Sequence, residues 1–484
     1  MSSVSRVFGK LPSLAFLEKL PLRRAVEWAD SQTTVRLLLA VILPGIPFCL
    51  FRLLLHLRVG LVNVDYLVAL LLVVAGYRRW ASGVFVVTCL MECVRVLDAV
   101  YYLSQQDLLF AAHFLKELPF VLVLRWGVGV VLLCYCNLQL WLALIPRIRE
   151  NAVKALAPTV LVVVVCCLVD FTKGYGPLFK DSRLASHYHL ANEILFRAPL
   201  AFVHGQSPDQ QPTVLFHSAT DPLWSVQDGV RTKRENVVIV VVESMGLLRE
   251  KLGRDRELGR IADDVDVRKR YAITEGSVPF TGGTVVGEMR ELCHLKTGVH
   301  ITKETLQDQG ACLPRQFQQL GYETSAYHGY RNTMFQRSDW YPKLGFKETR
   351  FLGQFGSLPM CNGVFYGVCD GAIASMISQR LQQKTAQGAP PQFLYWLTLN
   401  SHLPVDVDHA PVKPCPIVAD GEVCAQLSYV EQVLDSVKGI ALETGIDPTT
   451  IVVVGDHAPP YGIVNRRNLF DDHEVPFLVL RPLS

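Results

Sequence analysis

The sequence predicts an N-terminal α-helical membrane domain of about five transmembrane helices, followed by a C-terminal α/β domain with a doubly wound, mostly parallel sheet. Three observations carry that prediction. Residues 35–171 are mostly Leu, Val and Ala. Beyond residue 230, runs of β-branched and apolar residues alternate with helix-like stretches. The chain is 50% hydrophobic and 19% charged, with a mean hydropathy of +0.25, against about 25% charged in a typical soluble domain. That composition excludes a disordered chain and a wholly soluble one. Forty-seven basic against forty-four acidic residues, a net +3, exclude a nucleic-acid binder that works by bulk charge. Its 484 residues allow two or three domains. The expected divisions are a cytoplasmic segment 1–34, a transmembrane domain 35–171, a juxtamembrane linker 172–235 and an outer domain 236–484.

A spanning helix needs roughly 20 mostly apolar residues. The segments that qualify are Leu37–Leu57, Leu61–Tyr77, Gly83–Leu103, Leu118–Leu144, which holds Arg125, and Ala155–Phe171. No short apolar core followed by a small-residue cleavage site marks a signal peptide. Arg6, Lys10, Lys19, Arg23 and Arg24 precede the first span. Arg78 and Arg79 follow the second, and Arg147, Arg149 and Lys154 separate the fourth from the fifth. The positive-inside rule then puts the N-terminus in the cytoplasm, with only Arg52 and Arg58 against it. Five crossings leave everything after about residue 172 outside. Within the third span Glu92, Arg95 and Asp98 share a helix face, as a self-neutralised cluster or a lipid-headgroup site. The linker is expected to place one or two helices along the membrane surface.

Seven of the thirteen cysteines lie in the apolar spans, where a thiol behaves as a small hydrophobe. Cys293, Cys312, Cys361, Cys369, Cys415 and Cys424 lie in the outer domain. An even number in close sequential pairs suggests disulfides in an oxidising compartment. Zinc is the alternative, although no CxxC occurs there.

Three outer segments carry the chemistry. Asn236-Val-Val-Ile-Val-Val-Val-Glu243-Ser244-Met-Gly246 reads as a fully buried parallel strand ending in a carboxylate. Gln392-Phe-Leu-Tyr-Trp-Leu-Thr-Leu-Asn400-Ser-His402 and Thr450-Ile-Val-Val-Val-Gly455-Asp456-His457 repeat the design, with helical stretches Cys369–Lys384 and Ala425–Thr444 between. Ligands of open α/β sheets sit at the carboxyl ends of the strands, where Glu243, His402, Asp456 and His457 all stand. Singly, each reads equally as a strand-end polar residue; together they suit one divalent metal, Zn or Mn. Gly282-Gly283-Thr284 places a hydroxyl at the start of a helix. It reads either as a helix N-cap or as a metal-activated nucleophile beside backbone N–H groups that favour a phosphate.

As a set, Val-Glu243-Ser-Met-Gly, Gly-Gly-Thr284 with Glu288 four residues on, Asn-Ser-His402-Leu-Pro and Gly-Asp456-His457-Ala-Pro-Pro resemble the alkaline-phosphatase/sulfatase superfamily. The nearest branch looks like the membrane-anchored phosphoethanolamine and phosphoglycerol transferases, the lipoteichoic acid synthases among them. The resemblance implies an alkaline-phosphatase-like fold, with Glu243, Thr284, Asp456 and His457 as metal ligands and Thr284 doubling as nucleophile. It gives His402 an acid/base or substrate-binding role. Tyr327-His328-Gly329 and Phe335-Gln-Arg337 resemble the segment that sets a histidine and an arginine near a headgroup phosphate. His473 resembles a histidine of the phosphoethanolamine branch, although Glu474 is an extra residue there.

The short loops of Cys361/Cys369 and Cys415/Cys424 lean toward that same branch, and Cys293–Cys312 is the third expected bridge. Thr-x-x-x-Glu and Ser-His-x-Pro lean toward the phosphoglycerol branch. The chain departs from sulfatases in Cys312-Leu-Pro-Arg-Gln, whose arginine stands one place early. The implied partners are a membrane phospholipid donor, a glycan or lipid acceptor and an envelope-biosynthesis complex, with no nucleic acid. The implied place is the bacterial inner membrane, with the catalytic domain in the periplasm. A hydrolase with water as acceptor, or a non-enzymatic scaffold, are the rival readings.

Overall fold

The computed structural model describes residues 31–54, 62–101, 120–145, 152–172, 185–186, 213–214, 217–224, 235–297, 301, 306, 312–411, 419–461 and 463–483. The chain divides into two compact units, residues 1–96 with 127–205 and residues 97–126 with 206–484.

The first unit is helical, as its unbroken apolar runs demand. Its helices are α1 (Ser31–Ile42), continued through a 3-10 turn into α2 (Ile46–Leu54), then α3 (Asp65–Val74), α4 (Arg78–Tyr101), α5 (Phe120–Leu144) and α6 (Ala152–Thr172). Each expected span falls on one of these; among the described residues, Thr33–Leu50 and Val123–Leu144 are both long and apolar enough to cross a membrane. The other three differ in length and charge. The ten residues of α3 extend only about 15 Å, half a hydrocarbon core. Helix α4 is long enough at 24 residues but carries Arg78, Arg79, Glu92, Arg95 and Asp98. Helix α6 is 21 residues long and holds the apolar stretch Ala155–Cys166 among the described residues. Inside the unit, Phe85 stacks on Trp141 with centroids 4.5 Å apart and lies 5.1 Å from Tyr66. Glu92 is buried and accepts a hydrogen bond from the Asn63 amide. The side chains of Arg95 and Asp98 lie outside what is described, as does most of the linker 172–235.

The second unit is built on a seven-stranded sheet: β1 (Asn236–Val242), β2 (Tyr271–Pro279), β3 (Glu323–His328), β4 (Glu348–Arg350), β5 (Gln392–Leu397), β6 (Thr449–Gly455) and β7 (Glu474–Pro482), in the order β2-β7-β6-β1-β5-β3-β4. The five strands from β6 to β4 are parallel; β7 and β2 are antiparallel additions at one edge. The three apolar runs of the sequence are the adjacent central strands β6, β1 and β5. Alternate residues of β1 feed opposite faces, Val237, Ile239 and Val241 into one core and Val238, Val240 and Val242 into the other. Period-two alternation with both faces buried leaves no polar side, which is why the run reads as continuous.

Helices α7 (Lys251–Ala262), α8 (Val265–Arg270), α9 (Thr284–Cys293), α10 (Leu313–Gln319), α11 (Arg337–Leu344), α12 (Asp370–Ala386) and α13 (Gly421–Leu442) complete the unit. Val285, Met289 and Leu292 of α9 with Trp340 and Leu344 of α11 fill the first face. Ile261 of α7, Ile373 and Ile377 of α12, and Val433 and Val437 of α13 fill the second. Disulfides join Cys293 to Cys312 and Cys361 to Cys369. Cys415, the expected partner of Cys424, lies outside the described residues.

The segment 217–224, assigned to the linker by sequence, packs on α9. Ala219 and Leu223 are buried in the core, and Thr220 donates from its N–H to Glu291 Oε2 at 3.2 Å and from its hydroxyl to the Glu291 carbonyl at 2.7 Å. An outer domain begun at residue 236 is therefore expected to be roughly 2–3 kcal/mol less stable than one begun at 206, for lost Leu223 burial and a stranded Glu291 acceptor. Urea unfolding of the two truncations checks this, and equal midpoints would contradict it.

Candidate active site

Strand register assembles the site. Gly455 pairs with Val242, and Leu397 pairs with both Val241 and His328. Four parallel strands thus end at one level. Glu243, His328, the 398–402 turn and the pair Asp456-His457 meet at the carboxyl edge, where open sheets bind ligands.

The chain leaves β1 through an elbow at Ser244, whose φ of 55° costs a non-glycine residue of order 1–3 kcal/mol. The elbow is held because the Ser244 N–H donates to Asp456 Oδ1 at 2.8 Å and its hydroxyl to Glu243 Oε1 at 2.9 Å. Helix α9 brings Thr284 to the same place. Its approach requires glycine at 287, where a Cβ would stand 2.9 Å from Asp456 Cα. Gly283, not Thr284, occupies the N-cap position, so the capping reading of Thr284 fails. The Thr284 hydroxyl instead donates to Glu243 Oε2 at 3.0 Å and lies 3.4 Å from His457 Nε2.

Glu243, Asp456 and His457 are buried, and their ligand atoms lie within 4.8 Å of one another. Asp456 Oδ1 accepts from the amides of Ser244 and His457 at 2.8 and 2.7 Å, whereas Oδ2 is buried and accepts no hydrogen bond. His457 Nδ1 donates to the Ala458 carbonyl at 2.9 Å. That bond fixes the tautomer and turns Nε2 toward the carboxylates, as the outer hydrogen bond of a metal-ligating histidine does. An orphan carboxylate oxygen, a second carboxylate and an oriented imidazole fit one small divalent cation; Zn and Mn both accept such a donor set. Beneath it, buried Arg290 donates to the carbonyls of Gly455 at 2.6 Å and Asp456 at 3.3 Å and pairs with Glu291.

The four remaining candidates are placed differently. His402 Nε2 lies 4.0 Å from Glu243 Oε1, and its Nδ1 donates to the Leu403 carbonyl at 2.7 Å. His328 is buried at the end of β3 and donates through Nδ1 to the Leu397 carbonyl at 3.2 Å. Arg337 is buried with its Nε and Nη2 committed to Glu288 Oε1 at 2.9 and 2.7 Å. His473 is exposed; its carbonyl accepts from Phe280 N at 2.8 Å, which sets it beside the segment leading to Thr284.

Sequence reasoning missed the residues that hold this edge together. Glu243 N donates to Thr398 Oγ1 at 2.9 Å, and Ser401 Oγ donates to the Glu243 carbonyl at 2.5 Å. Thr398 and Ser401 lay inside a quoted motif. Asp370 and Arg290 had no local signal at all.

Burial, and then the Glu243 carboxylate, push Asp456 up to about 7. Burial opposes the charged form of His457 but is outweighed by Asp456 and Glu243, so it too is raised. Burial and then His457 push His402 down to about 4. Burial and then Arg337 hold His328 well below its ordinary range. Since Asp456 and His457 both keep protons above their usual range, a cation must displace them to bind. Metal affinity is expected to rise with pH, by about tenfold per unit for each proton displaced, through about 7 as Asp456 loses its proton and on until His457 has lost its own. Calorimetric titration with Zn or Mn across that range checks the slope, and an affinity indifferent to pH would refute it.

Residues 270–483 match the sulfatase family model. No curated protein matches the chain. Among solved structures the chain is similar to the lipoteichoic acid synthase LtaP from Listeria monocytogenes, at 16% identity over 51% of this chain and 65% of that one, with a TM-score of 0.40. The chain thus spans less than two thirds of the Listeria protein's length. It is similar to the C-terminal periplasmic domain of EptC from Escherichia coli in complex with Zn, at 14% identity over 53% of this chain and 75% of that one, with a TM-score of 0.35. The lipooligosaccharide phosphoethanolamine transferase EptA from Neisseria meningitidis is similar over 94% of this chain and 89% of that one, at 12% identity and a TM-score of 0.48. Glu243 lies upstream of the family match, while Thr284, His402, Asp456 and His457 fall inside it. Residues 270–483 of this chain thus carry a sulfatase-family domain.

Proposed function

We propose that the chain is a membrane-anchored, metal-dependent transferase that moves a phospholipid headgroup phosphate, phosphoethanolamine or phosphoglycerol, through Thr284 onto an envelope glycan or lipid. One observation carries the reading: a threonine hydroxyl 3.0 Å from Glu243 Oε2 and 3.4 Å from His457 Nε2, beside the orphan oxygen of Asp456. That is a nucleophile placed against a ready-made cation site.

In the first half-reaction Thr284 Oγ bonds to phosphorus as the bond from phosphorus to the diacylglycerol oxygen breaks. Thr284 loses its proton, and the departing glyceride oxygen gains one. In the second, an acceptor hydroxyl bonds to phosphorus, the Thr284 Oγ–P bond breaks, and Thr284 regains a proton. A bound divalent cation supplies charge neutralisation at the phosphoryl oxygens and a lower pKa for the Thr284 hydroxyl.

His402 serves both proton transfers. With its pKa near 4 the imidazole is neutral at pH 7 and able to take the acceptor's proton. Arrival of an anionic phosphodiester favours its protonated form, which then protonates the leaving oxygen. His328 offers Nε2 at the neighbouring strand end as a substrate contact, and His473 stands at the rim. The apolar helices Thr33–Leu50 and Val123–Leu144 support a membrane anchor, and the disulfides Cys293–Cys312 and Cys361–Cys369 support a catalytic domain on the oxidising, periplasmic side of the bacterial inner membrane; the full anchor of five spans is part of the proposal.

The test is the full chain, metal-loaded, in vesicles holding phosphatidylglycerol and phosphatidylethanolamine. Diacylglycerol release with a phosphoglycerol or phosphoethanolamine mass added to Thr284 is expected. Release of free headgroup phosphate without net transfer would establish a hydrolase instead, and no release from either lipid would sink the reading.

A further inference from the structure

His402 does not sit on a strand or a helix. It ends the turn that follows β5, closed by its own N–H donating to the Leu399 carbonyl at 3.0 Å. A turn held by one backbone bond would leave an imidazole poorly aimed, and a proton-transfer group misplaced by about 1 Å loses much of its effect. Something else must hold this turn.

The first residue of α12 does so. Asp370 is buried, and its carboxylate accepts the Leu399 N–H at 3.1 Å on Oδ1 and 3.0 Å on Oδ2, and the Asn400 N–H at 2.7 Å on Oδ2. The bond is returned: the Asp370 N–H donates to Asn400 Oδ1 at 2.7 Å. Donors and acceptors on the two segments are thus matched reciprocally. The residue before Asp370 is Cys369, bridged to Cys361. Within that bridged loop Phe365 lies edge-on to His402, with ring centroids 4.6 Å apart. The helix start and the loop therefore grip the His402 turn from two directions, while Thr398 and Ser401 tie the other end of the turn to the backbone of Glu243.

We propose that Asp370 is the positioning residue of His402, holding the Leu399–Asn400 amides so that Nε2 stays aimed at the Thr284 site. Its carboxylate oxygens are spent on those amides. The inference rests on the acid/base reading of His402 given above.

The test uses the full-length, metal-loaded protein with Asp370→Asn, an isosteric change that turns an NH₂ group toward backbone N–H donors. Expected are a kcat lower by about 10–100-fold, the scale on which groups behind a primary site act, an unchanged KM and unchanged bound metal. Hydrogen exchange at the Leu399–His402 amides should quicken. In the His402→Ala background the same substitution should cost less than about twofold, because residues acting through one another are not additive. A loss as large in that background, or a loss that tracks released metal, would overturn the proposal, as would unchanged exchange. If His402→Ala by itself keeps wild-type kcat, the acid/base reading falls, and the exchange result then decides the clamp alone.

Discussion

Thr284→Ala is expected to remove diacylglycerol release and the covalent adduct together, to at most about a thousandth of wild type, as loss of a nucleophile does elsewhere. The reasons are geometric. The hydroxyl is bonded to Glu243 Oε2 and makes no cap hydrogen bond, so its deletion should cost the fold little, unlike the removal of a true N-cap. Metal should bind more weakly but still bind, since Glu243, Asp456 and His457 remain. Thr284→Ser keeps the oxygen and should retain measurable turnover. Diacylglycerol release, intact mass and metal content for the three proteins check this. Wild-type release from Thr284→Ala would move the nucleophile elsewhere.

Arg337→Ala is expected to act on stability before it acts on binding. Glu288, fully buried, accepts both Arg337 bonds along with the hydroxyls of Tyr341 and, at 3.1 Å, Tyr395. Removing the guanidinium leaves a buried carboxylate without its counter-charge, which costs roughly 3–5 kcal/mol. In a domain of this size that is roughly 6–20 °C of melting temperature. The sequence, by contrast, expects Arg337 beside a headgroup phosphate. Arg337→Met combined with Glu288→Gln should recover much of the loss, because a neutral pair of similar size no longer buries an unpaired charge. If Arg337→Ala melted like wild type and lost only affinity for the phospholipid, the ion pair would be incidental and the headgroup role would stand.

What was legible and what was not divide along one line. Local pattern carries the strands β1, β5 and β6, because burial on both faces makes an unbroken apolar run whose end is a polar residue. It also carries Glu243, Thr284, His402, Asp456 and His457, since each stands where such a run stops or a glycine pair opens a helix. The edge strands β2 and β7 were not legible: β2 is half exposed and β7 contains Pro476 and Pro482, so neither shows a clean period. For the apolar helices, composition marks five segments, but length and charge can be judged only once helix ends are known, and two meet both conditions among the described residues.

Residue types and spacing by themselves determined this protein's division into an apolar helical part and an α/β part, and the chemistry gathered at the sheet edge. Only the tertiary structure decided what each polar side chain is spent on. Arg337 and His328 are neighbours in the same polar segment, yet one is locked to Glu288 on α9 and the other to a carbonyl of β5. Asp370 looks like any acidic helix start until the fold brings it against the amides of Leu399 and Asn400. Such pairings join residues 29 to 69 positions apart. Their partners follow from strand register and helix packing, which no local pattern encodes, and a buried polar group must find its partner there or cost the fold its stability.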